Sequence, residues 1–173
     1  MSSLQIDNNI HIEQPFIKKM LSPYFEHTSY LKDVLLPNNT DSKITFNQAI
    51  GEFSIDDSCY INNTGHFNAV EFNICYNQLA YAHMGYCIKN KLIKEVAAYD
   101  LDSFLQNQLS HFLITKISSS YRTQINAKHF FGSYEINNIS TRSKYVFMET
   151  TCKFYDEQKG KSTGQVNTVI ILP

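Results

Sequence analysis

The sequence has no tryptophan, no C-x-x-C pair and no marked excess of either charge. A formal net charge of −1 removes the electrostatic argument for nucleic acid or an anionic membrane surface as a partner. The four cysteines, Cys59, Cys75, Cys87 and Cys152, lack metal-type spacing, and no other ligand cluster suggests a metal or a cofactor. Cys75 and Cys87 lie in an apolar run, where a free thiol behaves as a small hydrophobe. No apolar run spans a membrane without polar interruption, and the opening MSSLQIDNNIHIEQ is too polar to read as a secretory leader. A reduced, soluble, cytoplasmic protein is the expectation.

What the chain does contain is ordinary for a globular protein: 43% hydrophobic residues, 18% charged, and many aromatics in the form of 11 Tyr and 12 Phe. Its 173 residues are most simply one domain, 1–173, with 1–11 as a loose N-terminal arm. Residues 12 to 25 carry Phe16, Ile17, Met20 and Leu21 at helical spacing, which predicts a short helix stopped near Pro23. LLPNNTDSK reads as a turn-rich connector, and ITFNQAIGEFSI, residues 44 to 55, as a strand with Gly51 as a possible bulge. A further helical piece spans Leu101 to Leu109, with Asp100 or Asp102 near its start. Four segments rich in β-branched and aromatic residues then follow: HFLITKISSSYR, FFGSYEINNISTRS, KYVFMETTCKFYDE and GQVNTVIIL. INAK, NNIS and DEQKGKSTG punctuate them as turns.

Between the first strand and the later ones lies NNTGHFNAVEFNICYNQLAYAHMGYCI, residues 62 to 88, whose one formal charge is Glu71. Its apolar side chains fall on nearly every face of a helix from about Thr64–Asn68 to Gly85, so the helix is expected to be buried. Grouped strands after such a helix point to an α+β layer fold, in which a curved antiparallel sheet wraps a long central helix.

The motif Thr64-Gly65-His66-Phe67-Asn68-Ala69-Val70-Glu71, followed by Cys75 and Asn77-Gln78-Leu79-Ala80-Tyr81, resembles the FcoT-type hotdog thioesterase-like family. Weaker matches at Pro23-Tyr24, Ser58, Tyr60, Gln108-Leu109-Ser110, Lys116, Ser118-Ser119 and Tyr121-Arg122 keep the same order along the chain. The resemblance implies a hotdog fold and a homodimer or higher hotdog oligomer. It also implies an enzyme that adds glycine to a trans-2-enoyl thioester on an acyl carrier protein, in isonitrile lipopeptide-type biosynthesis. A long-chain acyl thioesterase is the alternative activity, and a non-catalytic acyl-binding module the alternative of another class.

The residues can be read for that chemistry. Glu71 is the candidate base, its carboxyl pKa raised by an apolar setting; the Asn68-x-x-Glu71 spacing fits a capping box equally well. His66 at the helix entrance is a candidate to polarise or protonate a reacting oxygen, and Asn68 to orient Glu71 or donate to substrate. Gly65 allows close backbone approach, and unpaired N–H groups at the helix start would hold the thioester oxygen. Phe67 belongs to the same substrate-facing motif, and Tyr24 and Tyr60 line the site if the resemblance holds. Asn77, Gln78 and Tyr81 recur at helical spacing and read as a polar seam with a partner subunit, with Asn77 a candidate substrate contact. For the glycine carboxylate the candidate cation is Arg122, with Lys116 the alternate; each also reads as a solvated charge on a strand.

Overall fold

A computed structural model describes residues 9–37, 46–62 and 65–173. Most of the expected N-terminal arm, most of the connector and Thr64 of the motif lie outside these. The described elements are β1 (Ile10–His11), α1 (Gln14–Met20), β2 (Leu31–Leu36), β3 (Gln48–Phe53), α2 (Ala69–Lys89), α3 (Leu101–His111), β4 (Phe112–Thr123), β5 (Phe130–Arg142), β6 (Tyr145–Tyr155) and β7 (Lys161–Ile171). The strands form one antiparallel sheet in the order β1-β2-β3-β5-β6-β7-β4. With α2 packed against it, this is the α+β hotdog arrangement. No described helix is long and apolar enough to cross a membrane.

α2 begins where its sequence stops the preceding loop. Asn68 is extended, and its Oδ1 accepts from the backbone N–H groups of Val70 at 2.9 Å and Glu71 at 3.4 Å. Glu71 closes the box by accepting from the Asn68 N–H at 3.0 Å. Beyond this cap the helix buries Phe72, Cys75, Tyr76, Leu79, Ala82, Met84, Cys87 and Ile88. It runs one turn past the expected end at Gly85, to Lys89. Phe72 is the anchor of its first turns, in contact with Phe67, Tyr121 and Phe154. Gly164 on β7 makes that approach possible, because a Cβ there would lie 2.4 Å from Phe72 Cζ. The helix is not covered all round: Val70 and Asn73 are exposed, and Ile74, Asn77 and Ala80 half-buried.

Four expectations are corrected. Ile10 and His11 are paired with Leu36 and Leu35, so these two residues of the arm are sheet. Leu35 and Leu36 of the connector belong to β2, a strand the sequence pattern did not show. Gly51 keeps continuous register between Val34 and Gly132, and the irregularity falls instead between Leu31 and Asp33 on the neighbouring strand. A Cβ at Gly51 would meet Leu31 and Phe53 side-chain carbons at 2.8 Å, so the glycine serves packing. The NNIS stretch is not a turn: Asn138, Ile139 and Ser140 stay paired with β6 past a register shift, and the chain reverses at Ser143, whose φ is 55°.

Candidate active site

The mouth of α2 is built from the loop at 65–68, the first helical turn and the end of β4. Gly65 has φ +77°, while nothing lies within 4 Å of the place a Cβ would take; the backbone conformation, and not crowding, favours glycine there. His66, Phe67, Asn68 and Ala69 line a cavity of about 380 Å³ together with Tyr121, Arg122, Thr123 and Gln124. The irregularity in β4 between Tyr121 and Thr123 falls at Arg122. His66, Asn68 and Arg122, three of the sequence candidates, therefore share one wall.

Glu71 sits one turn deeper and is 2% exposed. It is not part of that cavity's lining. Burial pushes its carboxyl above the ordinary range, opposed by the Asn68 N–H, by Ser58 and by His66. Among the described residues, no Lys or Arg forms an ion pair with it. The cap engages Oε2 alone. Around this carboxylate lie buried polar atoms with no hydrogen-bond partner among the described residues: Ser58 Oγ, Asn68 Nδ2 and Tyr30 Oη. Tyr30 adjoins the thiol and backbone of Cys59 and senses the charge of Glu71.

The cap also answers the expectation of free N–H groups at the helix start. Asn68 Oδ1 takes those of Val70 and Glu71, and the Asn68 carbonyl takes that of Phe72. Ala69 N–H, at the cavity wall, is the donor these bonds leave over.

Other candidates stand elsewhere. Phe67 is 3% exposed and packs into Phe72, Phe130 and Phe154, so it anchors the mouth from the core side as well as lining it. Tyr60 is 50% exposed on the loop before α2 and does not line the cavity. Lys116 pairs with Asn167, whose neighbours Val166 and Thr168 face the core, so Lys116 occupies the opposite, outer face. Tyr24 is half-buried against Tyr81, with ring centroids 6.5 Å apart, and neighbours Cys75, away from the mouth cavity. Asn77 bonds back to the Asn73 carbonyl at 3.0 Å and borders a small void between α2 and the sheet, with Tyr76, Tyr81, Met84 and Phe112.

The polar seam expected for a partner subunit is internal at two of its three residues. Gln78 is fully buried: its Oε1 accepts from the N–H groups of Tyr30 at 2.9 Å and Leu31 at 3.0 Å, and its Nε2 donates to the Thr28 carbonyl at 2.6 Å. Tyr81 donates to the Gln108 carbonyl at 3.2 Å. Sequence reasoning did not single out Tyr30. The available signal was Gln78 itself, an amide within an otherwise apolar turn that needs backbone partners from outside the helix.

A curved sheet around one long helix, with a half-engaged carboxylate at the helix mouth, defines a hotdog-fold protein with a candidate thioester site. The chain belongs to the family described as the FcoT-like thioesterase domain, whose profile matches residues 19–170. It is 31% identical over 164 residues to a "(2E)-enoyl-[ACP] glycyltransferase" of Streptomyces coeruleorubidus, covering 92% of this chain and 97% of that one. A protein of the same name from Mycobacterium tuberculosis is 31% identical over 167 residues, covering 94% of this chain and 89% of the relative. These relatives place the chain among enzymes. Of solved structures, thioesterase superfamily member 2 of zebra fish superposes with a TM-score of 0.53 at 12% identity, over 92% of this chain and 95% of its own. A putative thioesterase of Shewanella oneidensis gives 0.51 at 7% identity, over 90% and 94%. At such identities the likeness is one of fold.

Proposed function

We infer that the protein adds glycine to the β-carbon of a trans-2-enoyl thioester held on an acyl carrier protein. The glycine nitrogen forms a bond to Cβ, the π pair moves to Cα as an enolate, and a proton that left nitrogen is returned to Cα. No other reactant is needed. The product is a 3-(carboxymethylamino)acyl thioester. The observation that carries this reading is Glu71: a buried carboxylate, raised in pKa, that no Lys or Arg pairs with among the described residues. Such a group accepts a proton from an ammonium and can return it to carbon within one turnover. The names of the relatives at 31% identity support the same reaction.

In this reading Ala69 N–H holds the thioester oxygen as negative charge develops, with His66 and Asn68 Nδ2 close to the same wall. Arg122 anchors the glycine carboxylate, since it is the guanidinium of the cavity lining. Tyr24 and Asn77 flank the path of the acyl chain along α2, and Gly65 and Phe67 shape its mouth; Tyr60 and Lys116 reach it only if a second copy brings them there. β4 is an edge of the sheet, and it exposes Ile117 and Tyr121 at 42% each. An open, partly apolar edge is a strand-pairing surface, so a homodimer with paired sheets accompanies this reading.

Mass spectrometry of a 2-enoyl carrier protein incubated with the protein tests the reading. Gain of one glycine mass that requires added glycine supports it. Loss of the acyl group independent of glycine assigns the thioesterase activity instead, and an unchanged carrier leaves a binding module.

A further inference from the structure

We propose that Tyr30 and Ser58, with Glu71, form the subsite that recognises the amine of the incoming amino acid. The inference rests on the amine-adding reading for the identity of its ligand, and on the structure for its placement.

An ammonium group carries three N–H donors and no acceptor, so a buried site for it needs about three oxygen acceptors and no competing cation. Glu71 offers the carboxylate oxygen that its cap does not use. Tyr30 Oη and Ser58 Oγ are buried hydroxyl oxygens with no hydrogen-bond partner among the described residues. Tyr30 is 2% exposed, and its hydroxyl lies beside Cys59 without a bond of good geometry to it. Ser58 precedes Cys59 and adjoins the Glu71 carboxylate. Ser58 adjoins the Glu71 carboxylate and Tyr30 the Cys59 thiol, yet neither hydroxyl oxygen accepts a hydrogen bond among the described residues, and such unused buried acceptors are costly unless something donates to them.

Tyr30 is also held in place with unusual firmness. Its own N–H and that of Leu31 both bond to the side chain of Gln78, and Ser54 N–H donates to the Tyr30 carbonyl at 3.0 Å. The backbone at this residue is fixed on both sides while its hydroxyl is left without a partner. That is the pattern of a rigidly presented ligand group. A tyrosine kept only to fill the core would be served as well by phenylalanine.

The test begins without acyl substrate. Binding of methylammonium and of glycine is measured by NMR saturation transfer on the intact protein, for wild type, Tyr30→Phe and Ser58→Ala. Both variants are expected to bind each probe about ten- to a hundredfold more weakly, the usual loss of a hydrogen bond to a charged group. Tyr30→Phe is expected to melt at the same or a higher temperature, since no protein partner is orphaned. Affinity unchanged in both variants overturns the proposal, as does a wild type that binds no methylammonium. A lower melting temperature for Tyr30→Phe with unchanged affinity assigns the hydroxyl a structural role only, and likewise overturns it. With enoyl carrier protein present, KM for glycine should rise in both variants while KM for the carrier stays constant. If wild type forms no glycine adduct yet the variants lose methylammonium, the subsite stands and the proposed reaction fails. If the adduct forms and both variants keep wild-type affinity for glycine, the reaction stands and the subsite fails.

Discussion

Glu71 and Gln78 lie seven residues apart, two turns along the same buried face of α2, and they are nearly isosteric. Gln78 has donor and acceptor both engaged, by three backbone groups of residues 28 to 31. Glu71 has one well-formed bond, to the helix cap, and otherwise adjoins the Ser58 hydroxyl and the Tyr30 side chain, whose oxygens make no well-formed hydrogen bond among the described residues. Burial is equal in kind; saturation is not. A buried polar group whose capacity is filled by backbone ties elements together, whereas one left half-filled among other idle groups is prepared for something that is not protein. His83 shows that counting alone is insufficient. Its Nδ1 also lacks a partner, but its surroundings are the ring of Tyr134 and the thiol of Cys87 and not a group of idle polar atoms. Clustering with other unsaturated polar atoms, one turn below the mouth of α2, is what separates Glu71 from the other two.

The largest expected effect falls on activity at Glu71. Glu71→Gln retains a side chain able to close the capping box, so the melting temperature should stay near that of wild type. Glycine addition should fall about 10²–10⁴-fold, the usual loss for a positioned base. The wild-type rate should rise with pH through an inflection above the ordinary carboxyl value of 4.5, because burial raises this pKa, and the variant should lack that inflection. The sign for stability runs the other way. The folded carboxyl holds its proton more tightly than the unfolded one, so its contribution is full below the unfolded pKa and lost as pH rises through the folded value. A variant that keeps the wild-type rate breaks the comparison, since Glu71 would then be a cap like any other.

Gln78→Met is the counterpart. It conserves volume but strands two buried N–H groups and a carbonyl, and should cost about 3–5 kcal/mol in urea denaturation. The effect on the catalytic rate of the molecules that remain folded should be smaller than that of Glu71→Gln. If the stability loss is instead below about 1 kcal/mol, full saturation is not what holds β2 to the helix.

How far all this was readable beforehand depends on the range of the signal. α2 was legible because its start is written locally, as Asn68-x-x-Glu71, and its apolar run is long; β5 and β6 announced themselves by composition. β2 was not, because Lys32 and Asp33 stand together inside LKDVLL and the register irregularity after Leu31 spoils the alternation that marks a strand. The turn after β5 was misplaced to NNIS because Ser143, which takes the positive φ, is a weaker turn signal than two asparagines. At the site, Glu71, Asn68 and His66 were visible as neighbours in sequence. Tyr30 was not: it is tied to α2 through a residue 48 positions away, and no local pattern reports which hydroxyl a fold will leave unpaired. That Lys116 and Tyr60 stand away from the mouth cavity was hidden for the same reason, since strand register and loop path decide which way each faces.

The smallest effect, and the one that sharpens the comparison at its third member, concerns His83. It is fully buried, with Nε2 at 2.7 Å from the Phe46 carbonyl, and burial lowers its pKa from the usual 6.5 to about 4. The imidazole is therefore neutral in the fold and donates through Nε2, while the unfolded chain takes up a proton below about pH 6.5. Its contribution to stability is present above that pH and is lost as pH falls toward 4, by about 3 kcal/mol at most. Cys87 and Tyr134, which face it, both have pKa values raised by burial, that of Cys87 to about 12, so neither changes charge in this window. Urea denaturation of wild type and His83→Gln at pH 7, 5.5 and 4 isolates the term: the gap between them should shift in favour of the variant as pH falls. Glycine addition by the variant, measured at pH 7, should match wild type. A variant that loses activity at neutral pH would mean that an idle lone pair deep beneath the sheet serves the reaction after all, and that the boundary drawn between the mouth of α2 and its interior is in the wrong place.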